Sequence, residues 1–280
     1  MNGSGAGKPG PAPIHRTGSD VPFLLCLGIL GGVYVVLILA MLVADASFTS
    51  PAHLLRALRS PEIRYAIKLS LISSTITTIL SLWVAVPLGY LMSRHPFPGR
   101  NLVDGIIDIP IVLPPLVLGL SLLILFQTAP GHFIERFVPV TYAIPSVILA
   151  QFSVACAFAV RTMRVTFDQL NPRSEQVALT LGCNRSQAFW LVVLPEARRG
   201  LVTAAALAWA RSLGEFGPIL IFSGATRMRT EVLSTTVFLE LSVGNLEAAI
   251  AVSILMILAA VLVLVLLRFA GSETPVGRVV

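Results

Sequence analysis

Long apolar runs alternate with short polar ones along most of the chain, and the apolar runs set the expected architecture. A helix needs about 20 apolar residues to cross the hydrocarbon core of a bilayer. Six segments reach that length, roughly 23–44, 66–92, 106–127, 143–163, 198–222 and 246–268. The pattern predicts an all-α, polytopic membrane protein with six transmembrane helices. The first run is too long for a signal peptide and no small-residue cleavage site follows Ala44, so it is expected to stay as an anchor. The expected organisation is a disordered cytoplasmic tail over 1–22, a first helix and outer loop over 23–65, a core of spans two to six over 66–268, and a second cytoplasmic tail over 269–280. The core contains a long polar loop, 164–197.

Polar positions inside the spans sharpen this picture. Span two carries Ser70, Ser73, Ser74, Thr77, Thr78 and Ser81, which form one stripe at helical spacing. Small hydroxyl residues let helices approach closely and bond across the contact. Span three carries Pro110, Pro114, Pro115 and Gly119. Prolines remove backbone donors and bend a helix, and lipid tolerates that only against protein or a watery cavity. Packing explains both features; lining a path is the functional alternative.

Composition agrees with the pattern. Of 280 residues, 55% are hydrophobic and 12% charged, against about 25% charged in soluble domains. The net charge of +6 needs no nucleic acid, because Lys and Arg collect in cytoplasmic loops of membrane proteins. With the termini inside, the inner segments hold twelve Lys and Arg and the outer ones seven. Arg56, Arg59, Arg64 and Lys68 run against that bias and are expected on a short surface helix of the outer face. Cys26, Cys156 and Cys183 show no pairing or metal spacing. Gly3-Ser4-Gly5-Ala6-Gly7-Lys8 imitates a phosphate loop, but the glycine spacing is wrong and Pro9 stands where Ser or Thr is required. His15, His53, His95 and His132 are scattered, with no metal or catalytic-triad spacing, so an enzyme is not expected.

The polar loop before span five is the most informative stretch. Asn171-Pro172 predicts a turn and a helix start. Leu170, Val177, Ala178 and Leu181 give one or two amphipathic turns, and Gly182 is expected to end them. Asn184 or Ser186 can cap a second short helix through Phe189 and Trp190, which Leu194-Pro195 is expected to stop. A polar membrane loop folded this way, with apolar and basic groups toward water, implies a docking partner.

These residues resemble the EAA loop of ABC importer permeases. Glu175, Ala178, Gly182, Leu194 and Pro195 match its pattern, while Val177 and Leu179 stand where Ala and Arg are common. Ile109 to Gly119, with Pro114 and Pro115, is similar to the third-span signature of the molybdate, tungstate and sulfate branch. Ala210-Arg211-Ser212-Leu213-Gly214-Glu215-Phe216-Gly217 is similar to its fifth-span signature. Glu231-Val232-Leu233-Ser234 departs from that branch, where a Leu-Pro pair is usual. The resemblance implies a type I importer permease bundle in a bacterial or archaeal plasma membrane. It implies a coupling helix for a separate ATPase dimer, a periplasmic or surface solute-binding protein, and a second copy of this chain enclosing the path. No cofactor is expected in this chain; ATP and Mg belong to the partner ATPase.

Arg211 and Glu215, spaced i, i+4, lie about 20–25 Å into span five. A charge at that depth costs several kcal/mol unless paired or wet. Two readings stand: an ion pair that fixes packing, or a pathway or gate element. Gly214 and Gly217 beside them are expected to allow close approach or a local break. Arg227 and Arg229, on the predicted outer loop, are read as solvated arginines, the alternative being that they attract an oxyanion or meet acidic groups on a binding protein. Asp104 and Asp108 are read as favourable charges at a helix start. An ion-coupled secondary transporter is the rival from another class; it would need paired sites in two related halves, and one pair is visible. A non-transporting scaffold would leave the folded loop unexplained.

Overall fold

A computed structural model describes residues 21–272, and among these all regular structure is helical. The contacts divide the chain into two units, 1–47 and 48–280. The first contains nearly all of α1 (Val21–Phe48), apolar on every face and about 42 Å long at 1.5 Å per residue. Only Val21 and Pro22 of the expected leading tail fall within the described residues, and both are already helical. The phosphate-loop imitation and residues 273–280 lie outside them.

The second unit begins with α2 (Pro51–Arg59), capped by the Ser50 hydroxyl, which accepts from the His53 amide at 3.4 Å. Of the four basic residues expected on one short helix, Arg56 and Arg59 lie on α2, while Arg64 and Lys68 lie past the Ser60 break in the first turns of the next, long helix. Next come α3 (Pro61–Arg94), α4 (Arg100–Val112), α5 (Pro115–Gln127), α6 (Ala129–Glu135) and α7 (Ile144–Gln169). The polar loop folds into α8 (Pro172–Thr180) and α9 (Arg185–Ala188), then a π-helical stretch, Phe189–Val193, and α10 (Leu194–Glu196). The chain continues as α11 (Arg198–Leu213), α12 (Gly217–Phe222), α13 (Leu233–Ser242) and α14 (Leu246–Ser272).

Two predicted spans are interrupted, at the prolines and glycines expected to bend or break them. In the third, α4 and α5 meet at 113°. Leu113 precedes two prolines and is extended (ψ 139°), because a following proline disfavours the helical region. Pro114 and Pro115 supply no amide donors across the bend. In the fifth, α11 stops at Leu213, residues 214–216 are irregular, and α12 is six residues long. The described residues thus contain four helices long and apolar enough to cross a membrane, or five when α4 and α5 count as one. The last helix runs on to Ser272, past the expected boundary at 268.

α3 and α7 form the centre of the second unit, with α11 laid across both. The hydroxyl stripe of α3 is buried from Ser70 to Ser81, so it serves packing within the subunit and not an open path. Thr77 donates to Gln151 Oε1 at 3.2 Å, and Gln151 donates to the Ser212 carbonyl at 3.1 Å. Ser70 accepts from the Leu233 amide at 2.7 Å. Each bond replaces water that the bilayer interior cannot provide. Gly89 sets the spacing of α3 and α7: a Cβ there would stand 2.9 Å from the Arg164 amide nitrogen.

Candidate functional site: a folded elbow and an intramembrane break

The elbow is built from local capping. Asn171 accepts from the Arg173 amide at 3.0 Å and starts α8 with Pro172 behind it. Gly182 has φ 95°, a left-handed conformation that glycine adopts without steric cost. The Cys183 amide then returns to the Ala178 carbonyl at 3.1 Å, closing the helix end. Asn184 and Gln187 exchange side-chain to amide bonds at 2.8 and 2.9 Å, a capping box that starts α9. Ala178 and Ala188 are buried where α8 meets α9 and the π-helical stretch.

Pro195 does not stop the second helix as expected. The π-helical turn before it widens the hydrogen-bond ladder, with the Leu194 amide reaching the Phe189 carbonyl. Helical dihedrals continue through Ala197, whose amide bonds to the Val193 carbonyl at 2.9 Å. The loop is therefore joined to α11 by nearly continuous helix. Pro195 itself is exposed and Leu194 half-buried.

Behind the elbow sits a polar and aromatic anchor. Tyr90 on α3 donates its hydroxyl to Glu175 Oε1. Arg94 places Nε 3.8 Å from Glu175 Oε2 and donates from Nη2 to the Leu170 carbonyl at 3.0 Å. The Tyr90 ring meets Phe189 and Phe167 edge-on, with centroids at 4.8 and 5.6 Å. On the opposite side stands an apolar crown: Leu181 is 80% exposed, Leu191 69%, Trp190 61% and Val177 56%.

The second feature is a break that joins the two interrupted segments. A Cβ on Gly217 would stand 2.7 Å from Pro115 Cβ, and one on Gly119 2.7 Å from Pro218 Cα. The α4–α5 bend and the α11–α12 interruption therefore share one tight contact, and the glycines make it possible. Gly214 caps α11 and meets nothing closer than its own helix carbonyls. Beside the break, Arg211 Nη1 lies 2.8 Å from Glu215 Oε2, and Glu215 is 1% exposed. The Glu215 carbonyl accepts from Ser234 at 2.6 Å. The Arg211 guanidinium also lies 5.8 Å from the Phe158 ring centre.

With this geometry in hand, comparison with known proteins decides the class. Residues 85–271 match the family described as "Binding-protein-dependent transport system inner membrane component". The chain belongs to this family, the permeases of ABC importers. The permease is 34% identical to the sulfate transport system permease protein CysT of Salmonella typhimurium, over 81% of this chain and 83% of that one. It is 35% identical to the molybdate/tungstate transport system permease protein WtpB of Pyrococcus abyssi, over 60% of this chain and 64% of that one. A bacterial alginate ABC transporter crystallised with its alginate pentasaccharide-bound periplasmic protein shares the fold (TM-score 0.71, 17% identity, 91% of this chain and 96% of that one).

Several residues of the permease behave differently from their expected roles. Asp104 and Asp108 are not merely helix-start charges. Asp104 pairs with Arg164, and Asp108 binds Arg161 bidentately, with Nε to Oδ1 at 2.9 Å. Arg227 is not simply solvated: it reaches Glu62 at 2.7 Å and Glu240 at 2.9 Å. Arg229 keeps an exposed side chain, and its carbonyl accepts from Tyr65 at 3.0 Å. Tyr90 and Arg94 had no sequence signal, being an ordinary aromatic and an ordinary loop-edge cation. The pairing of α4 with α7 did have one: aspartates four apart on one helix and arginines three apart on another can meet across one contact.

Glu231 was also missed as a site of interest. It is fully buried in the connection between α12 and α13, and neither carboxylate oxygen has a hydrogen bond of good geometry. Burial pushes its carboxyl above the usual carboxylate range, while the nearby Thr236 hydroxyl and then the Arg227 charge pull the other way.

Proposed function

We propose that this permease crosses the inner membrane six times with both termini in the cytoplasm, and that the elbow is where a separate ABC ATPase dimer docks. α4–α5 and α11–α12 then count as two broken crossings beside the four unbroken ones. The distribution of Lys and Arg, twelve inside and seven outside, supports that orientation. A second copy of the chain encloses the path, and a periplasmic or surface solute-binding protein delivers cargo to the outer face. ATP and Mg are held by the ATPase. The cargo is a small oxyanion, sulfate or molybdate/tungstate, in keeping with the names of relatives that align over most of the chain.

The observation that carries this reading is the elbow's polarity. Four large apolar side chains point outward from a loop whose only deeply seated carboxylate is turned back into its own subunit. Such a crown favours a partner groove over water. Shifting a two-state equilibrium from 1:99 to 99:1 takes about 5.5 kcal/mol of differential binding. The nearly continuous helix from the elbow into α11 supplies a stiff route for that work. Glu175, Ala178, Gly182, Leu194 and Pro195 shape the elbow. Pro114, Pro115, Gly214 and Gly217 form the break, and Arg211 with Glu215 is its gate.

The test is Gly182→Pro, or deletion of 175–182. Proline cannot adopt the positive φ of this position. Insertion should persist while the ATPase no longer copurifies. Copurification at the parental level together with sustained transport would refute the coupling role.

A further inference from the structure

α7 and α11 run antiparallel: Thr166 meets Gly200 near one end, and Phe158 meets Arg211 near the other. Between them opens a groove of about 680 Å³. Arg161, Thr162 and Thr166 line one wall and Glu196, Arg199 and Thr203 the other, among apolar side chains. Arg211 lies beyond the lining, against the Phe158 ring at its far end. Arg161 is 59% exposed along its side chain and Arg211 31%. Arg211 lies about 20 Å along α11 and Arg161 about 12 Å from the elbow end of α7. Arg211, deep within the fifth predicted span, is a charge of the kind that marks an ion pathway by default, and Arg161 stands at the inner end of the fourth.

Each arginine carries one carboxylate. Asp108 occupies Nε and Nη2 of Arg161, and Glu215 sits at Nη1 of Arg211. A guanidinium has five N–H donors, so both retain donors for a further anion while their charge is already offset. That suits transport: a station must bind well enough to admit an ion and weakly enough to release it. An untempered arginine in a low-dielectric groove would hold a dianion.

We propose that Arg161 and Arg211 are two successive weak stations for a small oxyanion on the inner half of the path, each tempered by its own carboxylate, Asp108 and Glu215. This rests on the oxyanion reading given above. An inbound ion meets Arg211 first and Arg161 second. Asp108 belongs to α4 and Glu215 to the α11–α12 interruption, so movement at either break alters how strongly its arginine is neutralised.

The test uses the permease reconstituted in proteoliposomes with its own ATPase and binding protein. Radiolabelled sulfate and molybdate uptake is read in parallel with ATP hydrolysis. Arg161→Gln should lower the number of ions moved per ATP about tenfold, the scale of one charged hydrogen bond. Asp108→Asn, leaving Arg161 untempered, should lower KM and maximal rate together. The exchange Arg161→Asp with Asp108→Arg keeps the ion pair but moves the guanidinium to α4. It guards against misfolding of the single variants, and it too should lose about tenfold in ions moved per ATP. Parental coupling in the exchange variant, or parental KM and rate in Asp108→Asn, would overturn the stations. If the parental permease moves neither anion, the oxyanion reading itself falls and the stations fall with it.

Discussion

The elbow and the intramembrane break are both interruptions of helix made with glycine and proline, yet they are finished in opposite ways. At the elbow, Glu175 turns inward onto Tyr90 and Arg94, and the large apolar side chains face out. At the break, apolar helices close on each other through Gly217 and Gly119, and the charges gather beside the gap, with Glu215 nearly sealed from solvent. The solvent explains the inversion. In water, an apolar crown is unfavourable unless a partner covers it. In the bilayer, apolar surface is neutral and an unpaired charge is costly. On the coupling role proposed for it, the elbow is completed by another protein, whereas the break is completed largely by its own subunit.

The largest effect expected from breaking this contrast lies in the Arg211–Glu215 pair. Arg211→Met leaves Glu215 buried without its cation, which costs about 3 kcal/mol or more. Glu215→Gln leaves Arg211, which is not sealed inside its own subunit, and should cost clearly less. Thermal unfolding of the detergent-purified permease measures both. Equal loss in the two variants would mean the pair is not asymmetrically buried.

A smaller effect is expected at the elbow anchor. Tyr90→Phe removes one hydrogen bond to Glu175 and keeps the ring packing against Phe189 and Phe167. It should weaken ATPase association by about 0.5–1.5 kcal/mol, or two- to tenfold, and leave the unfolding midpoint nearly unchanged. A titration of purified ATPase against the permease reads this directly; parental affinity would show that the anchor does not hold the elbow in shape.

The smallest effect is expected at Glu231, outside the spans. Its folded-state carboxyl titrates above the usual range because it is buried. The folded state therefore binds that proton more tightly than the unfolded chain does, and stability falls as pH rises from the ordinary carboxylate value through the folded one. Glu231→Gln removes this slope and should be relatively more stable toward neutral pH. Unfolding midpoints compared across that window test the sign; a variant that loses stability as pH rises in step with the parent contradicts it.

Much of this architecture was legible in the residues. The apolar runs placed α1, α3, α7 and α14, because a lipid solvent demands long uninterrupted segments. Gly182 and Asn184 announced the elbow through capping rules that act within four residues. The two breaks were only half legible. Pro114-Pro115 and Gly214 to Pro218 signalled interruption, but the 113° bend follows from Gly217 and Gly119 docking the segments across about 100 positions of sequence. Likewise Tyr90 and Arg94 are recognisable as anchors only when the end of α3 is seen beside α8. The misreading of Pro195 has the same origin: a proline ends a regular α-helix, but a widened turn one residue earlier absorbs its missing donor.

The side of the membrane that the elbow faces, and what covers it there, decide the coupling role. In a background with Cys26, Cys156 and Cys183 replaced by Ser, Leu181→Cys offers one thiol on the exposed crown. Labelling with a membrane-impermeant maleimide should fail in intact spheroplasts, succeed after permeabilisation, and be protected there by the bound ATPase. Labelling of intact spheroplasts, or labelling in permeabilised cells at the same rate with and without the ATPase, would contradict the account.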